Sequence, residues 1–373
     1  MKLAIVHDFL NQYGGAERCV EAFHEIFPDA PIYTSIYLPD NMPESFRKMD
    51  IRTSFMQKFP FLNRHFKKYL LFYPKAIESF DLSGYDIIFS SSSSFAKGVR
   101  IKKGVLHVCY CYTPMRFVWD TKSYIEKENF NALEKKAIEI SVKILQKWDL
   151  KNNTSVDYFV GISNIVKERI KNYYKRTADI IYPTVGCDNY KISTKTEDYY
   201  LVVSRLNAYK RIDIVIEAFN KLQLPLRIIG DGPKRKTLEG LAGPTITFLG
   251  KVDDIKLAEV YSQCQALLFP GVEDFGIVPL EAQASGRPVI AYAAGGALET
   301  VVDGVTGLFF KEQNPESIID AVRRYEAIKN SFNSEIIRKN AMRFDKEIFK
   351  KKICDYVLEK YHNYCIGKNK NLP

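Results

Sequence analysis

The sequence predicts an α/β protein made of two doubly wound domains with parallel sheets. Two observations carry that prediction. Short apolar runs alternate with segments of helical period along the chain, and strands that alternate with helices build parallel sheets. The alternation restarts with a fresh strand near Tyr199, and 373 residues exceed the usual reach of one hydrophobic core.

The first series begins at once. Leu3 to His7 reads as a buried strand, followed by the loop Asn11-Gln12-Tyr13-Gly14-Gly15 and a helix from about Ala16 to Phe27. That helix has Val20, Phe23, His24 and Phe27 on one side. Tyr85 to Ser90 is the next strand and runs into five serines, Ser90 to Ser94, which read as a strand end plus loop rather than a linker. Strands at Val105 to Tyr112 and Tyr158 to Ile162 follow, the latter leading into a helix that starts near Ser163-Asn164.

The second series has strands at Tyr199 to Ser204, Leu226 to Gly230, Ile246 to Gly250, Ala266 to Pro270 and Pro288 to Tyr292. Helices near 211–222, 233–241, 253–263, 278–286 and 296–302 separate or follow them. The polar, irregular stretch from Pro183 to Glu197 is the expected hinge, as few contacts cross such segments. The domains are therefore expected at 1–186 and 187–345, with 346–373 crossing back to the first. The final helix, about Asp345 to Tyr361, has Ile348, Phe349, Ile353, Val357 and Tyr361 apolar.

Composition narrows the class. With 46% hydrophobic and 26% charged residues the chain is an ordinary globular one, and no apolar run reaches the ~18 residues of a membrane span. The N-terminus lacks the layout of a signal peptide. Seven scattered cysteines, with Cys109 and Cys111 the only close pair, fit reduced thiols and a cytoplasmic location. None of the five histidines forms a metal-spaced cluster with acids, so no metal is expected.

The net charge of +10 suits phosphorylated substrates, nucleic acid or an anionic membrane. Between Arg47 and Lys75 eight cations face one acid, Asp50, and Phe55, Phe59, Phe61, Phe66, Tyr69, Phe72 and Tyr73 interleave with them. Such a segment either lies on an anionic membrane surface or is an irregular helix with a core face and a solvated basic face.

The sharpest chemical signal is Glu273 to Glu281. Two carboxylates bracket a Phe-Gly turn and a Pro suited to a first helical turn. Paired acids suggest a glycosidase, but one on a loop and one on the following helix are also placed to accept from sugar hydroxyls. Arg205 and Lys210 follow the first strand of the second series, and cations at a strand's carboxyl end point into the crevice where such sheets bind ligands. Gly14-Gly15 opens a helix and reads as an anion loop or a tight turn; it is not the G-x-G-x-x-G of a nicotinamide enzyme. Gly230-Asp231-Gly232 is a turn in which Asp231 caps a helix or faces a ligand.

Together these pieces resemble the retaining glycosyltransferases of family 4, whose GT-B fold is two facing Rossmann-like domains with parallel sheets and an interdomain cleft. The resemblance runs through His7-Asp8-Phe9, Gly14 to Arg18, Ser204-Arg205-Leu206 with Lys210, Gly230-Asp231-Gly232, the Glu273/Glu281 pair and Ala294-Gly295-Gly296 to Glu299. Tyr110 to Arg116 and Phe275 to Pro279 look like bacterial mannosyltransferases of O-antigen, capsule and exopolysaccharide synthesis.

The resemblance implies that Arg205, Lys210 and the Gly14-Gly15 loop hold the diphosphate of a nucleotide sugar, with GDP-mannose the best donor. It gives Glu281 to the ribose, Glu273 with Phe275, Gly276 and Ile277 to the hexose, and Gly230, Asp231, Lys251 and Val252 to the nucleoside. Tyr112, a catalytic candidate with Arg205, Lys210 and Glu273, stands where the family often has a His beside the transferred sugar, and that role is either filled by Tyr112 or absent; Arg116 and Asp120 are acceptor-side candidates. No cofactor or metal is implied, nor nucleic acid. The acceptor would be a polyprenyl-diphosphate-linked saccharide, met at the inner face of the cytoplasmic membrane through residues 47–75. Alternatives are a UDP-sugar donor, a nucleotide-sugar epimerase of the same fold, or a weakly catalytic saccharide-binding subunit.

Overall fold

Seven strands pair in parallel in the first sheet: β1 Leu3–His7, β2 Ile32–Thr34, β3 Ile51–Thr53, β4 Ile87–Ser92, β5 Leu106–Cys111, β6 Tyr158–Gly161 and β7 Ala178–Ile180, in the order β3-β2-β1-β4-β5-β6-β7. Six form the second: β8 Tyr200–Val203, β9 Leu226–Ile229, β10 Ile246–Gly250, β11 Leu267–Phe269, β12 Val289–Tyr292 and β13 Gly307–Phe310, in the order β10-β9-β8-β11-β12-β13. These come from a computed structural model that describes residues 1–121 and 132–369. The central strands are buried on both faces, which is why they read as continuous apolar runs rather than alternating ones.

The chain divides into two compact units, Met1–Tyr182 with Phe349–Pro373, and Pro183–Ile348. The core of the first gathers Ala4, Val6, Tyr73, Ile77, Phe95 and Leu145. That of the second gathers Val202, Val215, Phe219, Ile228 and Val322. The last helix, Lys346–Asn369, buries Phe349, Ile353 and Val357. Phe349 packs 5.6 Å from Phe23 and 5.8 Å from Tyr110. Ile348, one residue off that face, is exposed, contrary to its expected place on the apolar stripe.

Strands β2, β3, β7 and β13 are absent from the sequence prediction, being runs of three or four residues too short to display a period. The strand expected at Tyr85 to Ser90 lies at Ile87–Ser92, so three serines enter the sheet. They do so because each hydroxyl finds a role: Ser90 Oγ bonds His107 Nε2 at 2.8 Å, Ser91 Oγ bonds His7 Nδ1 at 3.0 Å, and Ser92 Oγ accepts from the Lys97 N–H at 3.4 Å. Asp8 stabilises the turn that follows. Its carboxylate accepts from the N–H groups of Ser93, Ser94, Phe95 and Ala96 and from the Ser93 hydroxyl, at 2.6–3.0 Å.

The segment from Arg47 to Lys75 is a chain of short turns, including Phe55–Lys58, Leu62–His65 and Phe66–Phe72. Met56, Leu62 and Tyr73 enter the core, whereas Phe55, Leu71 and Phe72 are exposed and Phe61 is 71% exposed. Phe61 also has φ +53°, a strained region for a bulky residue. The Lys67 side chain lies outside the described residues. Among those described, no helix is long and apolar enough to cross a membrane.

His107 is fully buried; Nδ1 meets the Ser155 carbonyl at 3.1 Å and its own N–H donates to Asp157 at 2.8 Å. Burial pushes its pKa down to about 4, against the weaker upward pull of the Ser155 carbonyl. A His held neutral in the fold and free to protonate when unfolded contributes stability above pH ~6.5 that is lost as pH falls toward its folded value. The first unit is therefore expected to lose on the order of 3 kcal/mol between those limits. Urea titrations at several pH values check this, and His107→Gln should flatten the dependence.

Candidate functional site

In a doubly wound sheet, ligands bind beyond the carboxyl ends of the strands where the winding direction reverses. In the second unit that point lies between β8 and β11, which are hydrogen-bonded neighbours. The loop after β8 carries Arg205 and Lys210; the loop after β11 carries Glu273. There the Lys210 ammonium donates directly to the Glu273 carboxylate, both groups being largely buried. They line a small recess with Ser204, Ile212, Pro270 and Gly271. Arg205 is exposed on the same loop.

Glycines let these loops close on one another. A Cβ at Gly230, where φ is +128°, would lie 1.9 Å from the Ser204 carbonyl oxygen, and one at Gly296 would lie 1.9 Å from that of Phe275. Only bare backbone fits at such approaches. Leu206 N–H donates to the Asp231 carbonyl at 3.0 Å, and Gly296 N–H to the Glu273 carbonyl at 2.8 Å. The two glycine turns are thus packing devices that hold the cation loop and the acid loop in place.

The remaining residues of this unit divide by burial. Asp231 Oδ1 accepts from the adjacent Gly232 N–H at 2.8 Å, a bond local to its own turn. Lys251 is exposed and Val252 half-buried just beyond β10. Phe275 is buried against Phe344, ring centroids 5.6 Å apart. Gly276 at φ +92° starts the helix Ile277–Ala284, on which Glu281 is only 5% exposed. The Tyr261 hydroxyl donates to Glu281 Oε2 at 2.8 Å. Tyr261 escapes sequence reasoning because it reads as one more apolar position of the helix Asp254–Gln263.

In the first unit, Gly14 precedes the helix Gly15–Ile26, and its N–H donates to Glu17 Oε2 at 2.9 Å. Tyr112 follows β5. Its phenol donates to the Ala16 carbonyl at 3.0 Å and bonds Ser91 Oγ at 2.9 Å, so it braces the first turn of that helix against the sheet. Burial pushes its pKa well above the usual phenol value, which makes it no base at neutral pH. Tyr112→Phe is expected to lower the melting temperature of the first unit by the equivalent of about 1 kcal/mol while leaving turnover nearly intact; calorimetry and kcat measured together check this. Arg116 opens a short helix, Arg116–Trp119, that Asp120 ends, and both line a second recess with Pro114, Trp119, Arg169 and Tyr173. Among the described residues, no group of three or more His, Cys, Asp or Glu is placed to hold a metal ion.

Comparison with known proteins agrees with this geometry. Residues 190–344, within the second unit, match the family described as "Glycosyl transferases group 1". An uncharacterized glycosyltransferase of Methanocaldococcus jannaschii is 31% identical over 205 residues, 53% of this chain and 56% of that protein. A GDP-mannose-dependent alpha-mannosyltransferase of Corynebacterium glutamicum is 35% identical over 133 residues, 33% of this chain and 32% of that one. The chain thus spans about half the length of the first relative and a third of the second. Among solved structures, Anabaena HepE in complex with UDP and glucose superposes with a TM-score of 0.70 at 16% identity, over 96% of this chain and 99% of that one. The two Rossmann-like units with parallel sheets constitute a GT-B fold.

Proposed function

We propose that the protein is a retaining glycosyltransferase that moves a hexose, mannose from GDP-mannose, onto a lipid-linked saccharide of a bacterial surface polysaccharide. The observation that carries this reading is the Lys210–Glu273 pair at the β8/β11 switch point. A cation and an acid side by side there suit a donor whose diphosphate needs positive charge and whose sugar needs hydroxyl acceptors. Lys210 and Arg205 take the diphosphate, Glu273 with Phe275, Gly276 and Ile277 the hexose, and Glu281 the ribose. Gly230, Asp231, Lys251 and Val252 flank the nucleoside. Gly14-Gly15 offers a further helix N-terminus to an anion.

In the chemical step the sugar–phosphate bond breaks as the acceptor oxygen bonds the same face of the sugar. The departing phosphate takes the acceptor proton, and stabilisation of its charge by Lys210 and Arg205 is the main catalytic effect. The mannosyltransferase relative favours a GDP donor, whereas the UDP complex of the Anabaena protein favours UDP as the second reading. Incubation with GDP-mannose, UDP-glucose, UDP-galactose and NAD, following nucleotide release, separates them. GDP release from GDP-mannose alone is expected; release from no nucleotide sugar, with any acceptor lipid extract, would sink the transferase reading.

The exposed aromatics Phe61 and Phe72, set among Arg64, Lys68 and Lys75, favour contact with an anionic membrane that presents such an acceptor. Phe61→Ser with Phe72→Ser is expected to weaken co-sedimentation with phosphatidylglycerol vesicles at low salt. Unchanged sedimentation would make the segment ordinary surface.

A further inference from the structure

We infer that His7 and Glu17 are positioning residues that share one proton beside the Gly14-Gly15 loop, keeping its helix N-terminus free of net negative charge for a phosphate. This rests on the anion-loop role given to Gly14-Gly15 in the transferase reading and adds two residues to it.

The pair closes a buried ring of polar groups in the first unit. The ring leaves the first turn of the helix Gly15–Ile26 at Gly14, whose N–H donates to Glu17 Oε2 at 2.9 Å. Glu17 Oε1 lies 3.7 Å from Nε2 of His7, the last residue of β1. On its other side, His7 Nδ1 meets the Ser91 carbonyl at 3.1 Å and Ser91 Oγ at 3.0 Å. Ser91 Oγ bonds the Tyr112 hydroxyl at 2.9 Å. That hydroxyl returns to the same helical turn at the Ala16 carbonyl, 3.0 Å away. His7 is 2% exposed and Glu17 4%, so little water screens their charges.

The end of the ring fixes where its protons lie. A carbonyl oxygen only accepts, so the phenol proton of Tyr112 points to Ala16. The Tyr112 oxygen must then accept, which turns the Ser91 hydroxyl proton toward it. Ser91 Oγ is left to accept from His7, as the Ser91 carbonyl does. Both contacts require a proton on Nδ1. A neutral imidazole protonated there holds a lone pair at Nε2, and that atom faces a carboxylate oxygen. In a buried site the two repel. One further proton, on Nε2 or on Glu17, removes the repulsion and leaves the pair with no net charge.

Neutrality matters because of where Glu17 sits. The positive end of a helix attracts a carboxylate of its own chain as readily as a phosphate from outside. As a lone anion, Glu17 would repel a phosphate from the N–H groups of Gly15 and Ala16. Those groups, the first of the helix, have no acceptor within it. With a proton shared with His7, the same carboxylate fixes Gly14 without that repulsion. The usual capping role of an acid at the third helical position explains the Gly14 bond and not the histidine.

The test uses the full chain and calorimetric titration with GDP or UDP, each compared with its nucleoside. His7→Asn keeps a donor toward Ser91 and leaves Glu17 without its partner. It should bind the nucleotide about tenfold more weakly and the nucleoside, which carries no phosphate, as the wild type does. His7→Asn with Glu17→Gln, in which the amide still accepts from Gly14, should regain nucleotide affinity to within about twofold. A purely structural role gives a double variant no better than the single one, or nucleotide and nucleoside weakened together. Either result overturns the inference. The wild type supplies a check that does not need His7→Asn to fold. Histidine-selective nitrogen NMR should show a proton on Nδ1 of His7, its signal assigned by loss in the double variant, and a bare Nδ1 overturns the inference. Failure of the transferase reading looks different: no nucleotide raises the melting temperature of the wild type, while the proton stays on Nδ1.

Discussion

Lys210→Ala is expected to reduce kcat/KM by about two to three orders of magnitude while leaving the melting temperature near that of the wild type. The size follows from the role proposed for Lys210, a donor to the departing diphosphate: removal of one preorganised donor to a developing oxyanion typically has this effect. The fold should tolerate the change because the ammonium supports no core contact; its bonded partner is Glu273, at the mouth of a recess. The pairing adds a second consequence. With Lys210 gone, Glu273 remains largely buried with no ammonium beside it, and a carboxylate so placed repels the donor's phosphates. Part of the loss is therefore repulsion, and Lys210→Ala with Glu273→Gln should be less impaired in donor binding than Lys210→Ala alone. Competition by GDP or UDP measures that difference. If Lys210→Ala turns over normally, the cation loop has been misassigned.

Much of that site was legible in the sequence, because its signals are local. Glycines at Gly14, Gly230 and Gly276 mark tight loops at strand ends, and Arg205, Lys210, Glu273 and Glu281 sit at fixed offsets from apolar runs. The structure changes the reason for some of them. Gly230, read as part of a turn near the nucleoside, also brings its loop into backbone contact with Ser204, and Gly296 does the same toward Phe275. Asp231 satisfies its own turn, and Tyr112 has its phenol engaged between Ala16 and Ser91.

What was not legible is nonlocal. Trp119 and Tyr173 lie far apart in sequence, in segments with no shared motif, and only the fold stacks them. Tyr261 beneath Glu281 is hidden in the same way. The serine run was legible as a strand end plus loop, but the anchor of its turn was not, because Asp8 lies just after β1, more than 80 residues earlier.

The largest stability effect is expected at Asp149. Asp149→Ala should destabilise the first unit by about 3–5 kcal/mol, because it strands the buried ammonium of Lys97. Burial alone pulls the pKa of Lys97 down, but the attraction of Asp149 outweighs it and holds the value above that of a free lysine. The ammonium is thus charged at every working pH of the wild type and would have to lose its proton in the variant. The Trp119 and Tyr174 donors lose their acceptor as well. In a two-unit chain one melting temperature is not enough, so calorimetry should show the first unit's transition falling while the second stays in place. Lys97→Met with Asp149→Leu decides what the pair is for. Replacing both charges by apolar groups of similar size should restore most of the stability, as it does for many buried ion pairs. If the pair exists to fix the Trp119–Tyr173 stack, that variant should come within about 1–3 kcal/mol of wild-type stability, the deficit being the unpaired Trp119 and Tyr174 donors, and show a shifted tryptophan emission. Recovery of stability with unchanged tryptophan emission would make the pair a core element with no bearing on the Trp119–Tyr173 stack.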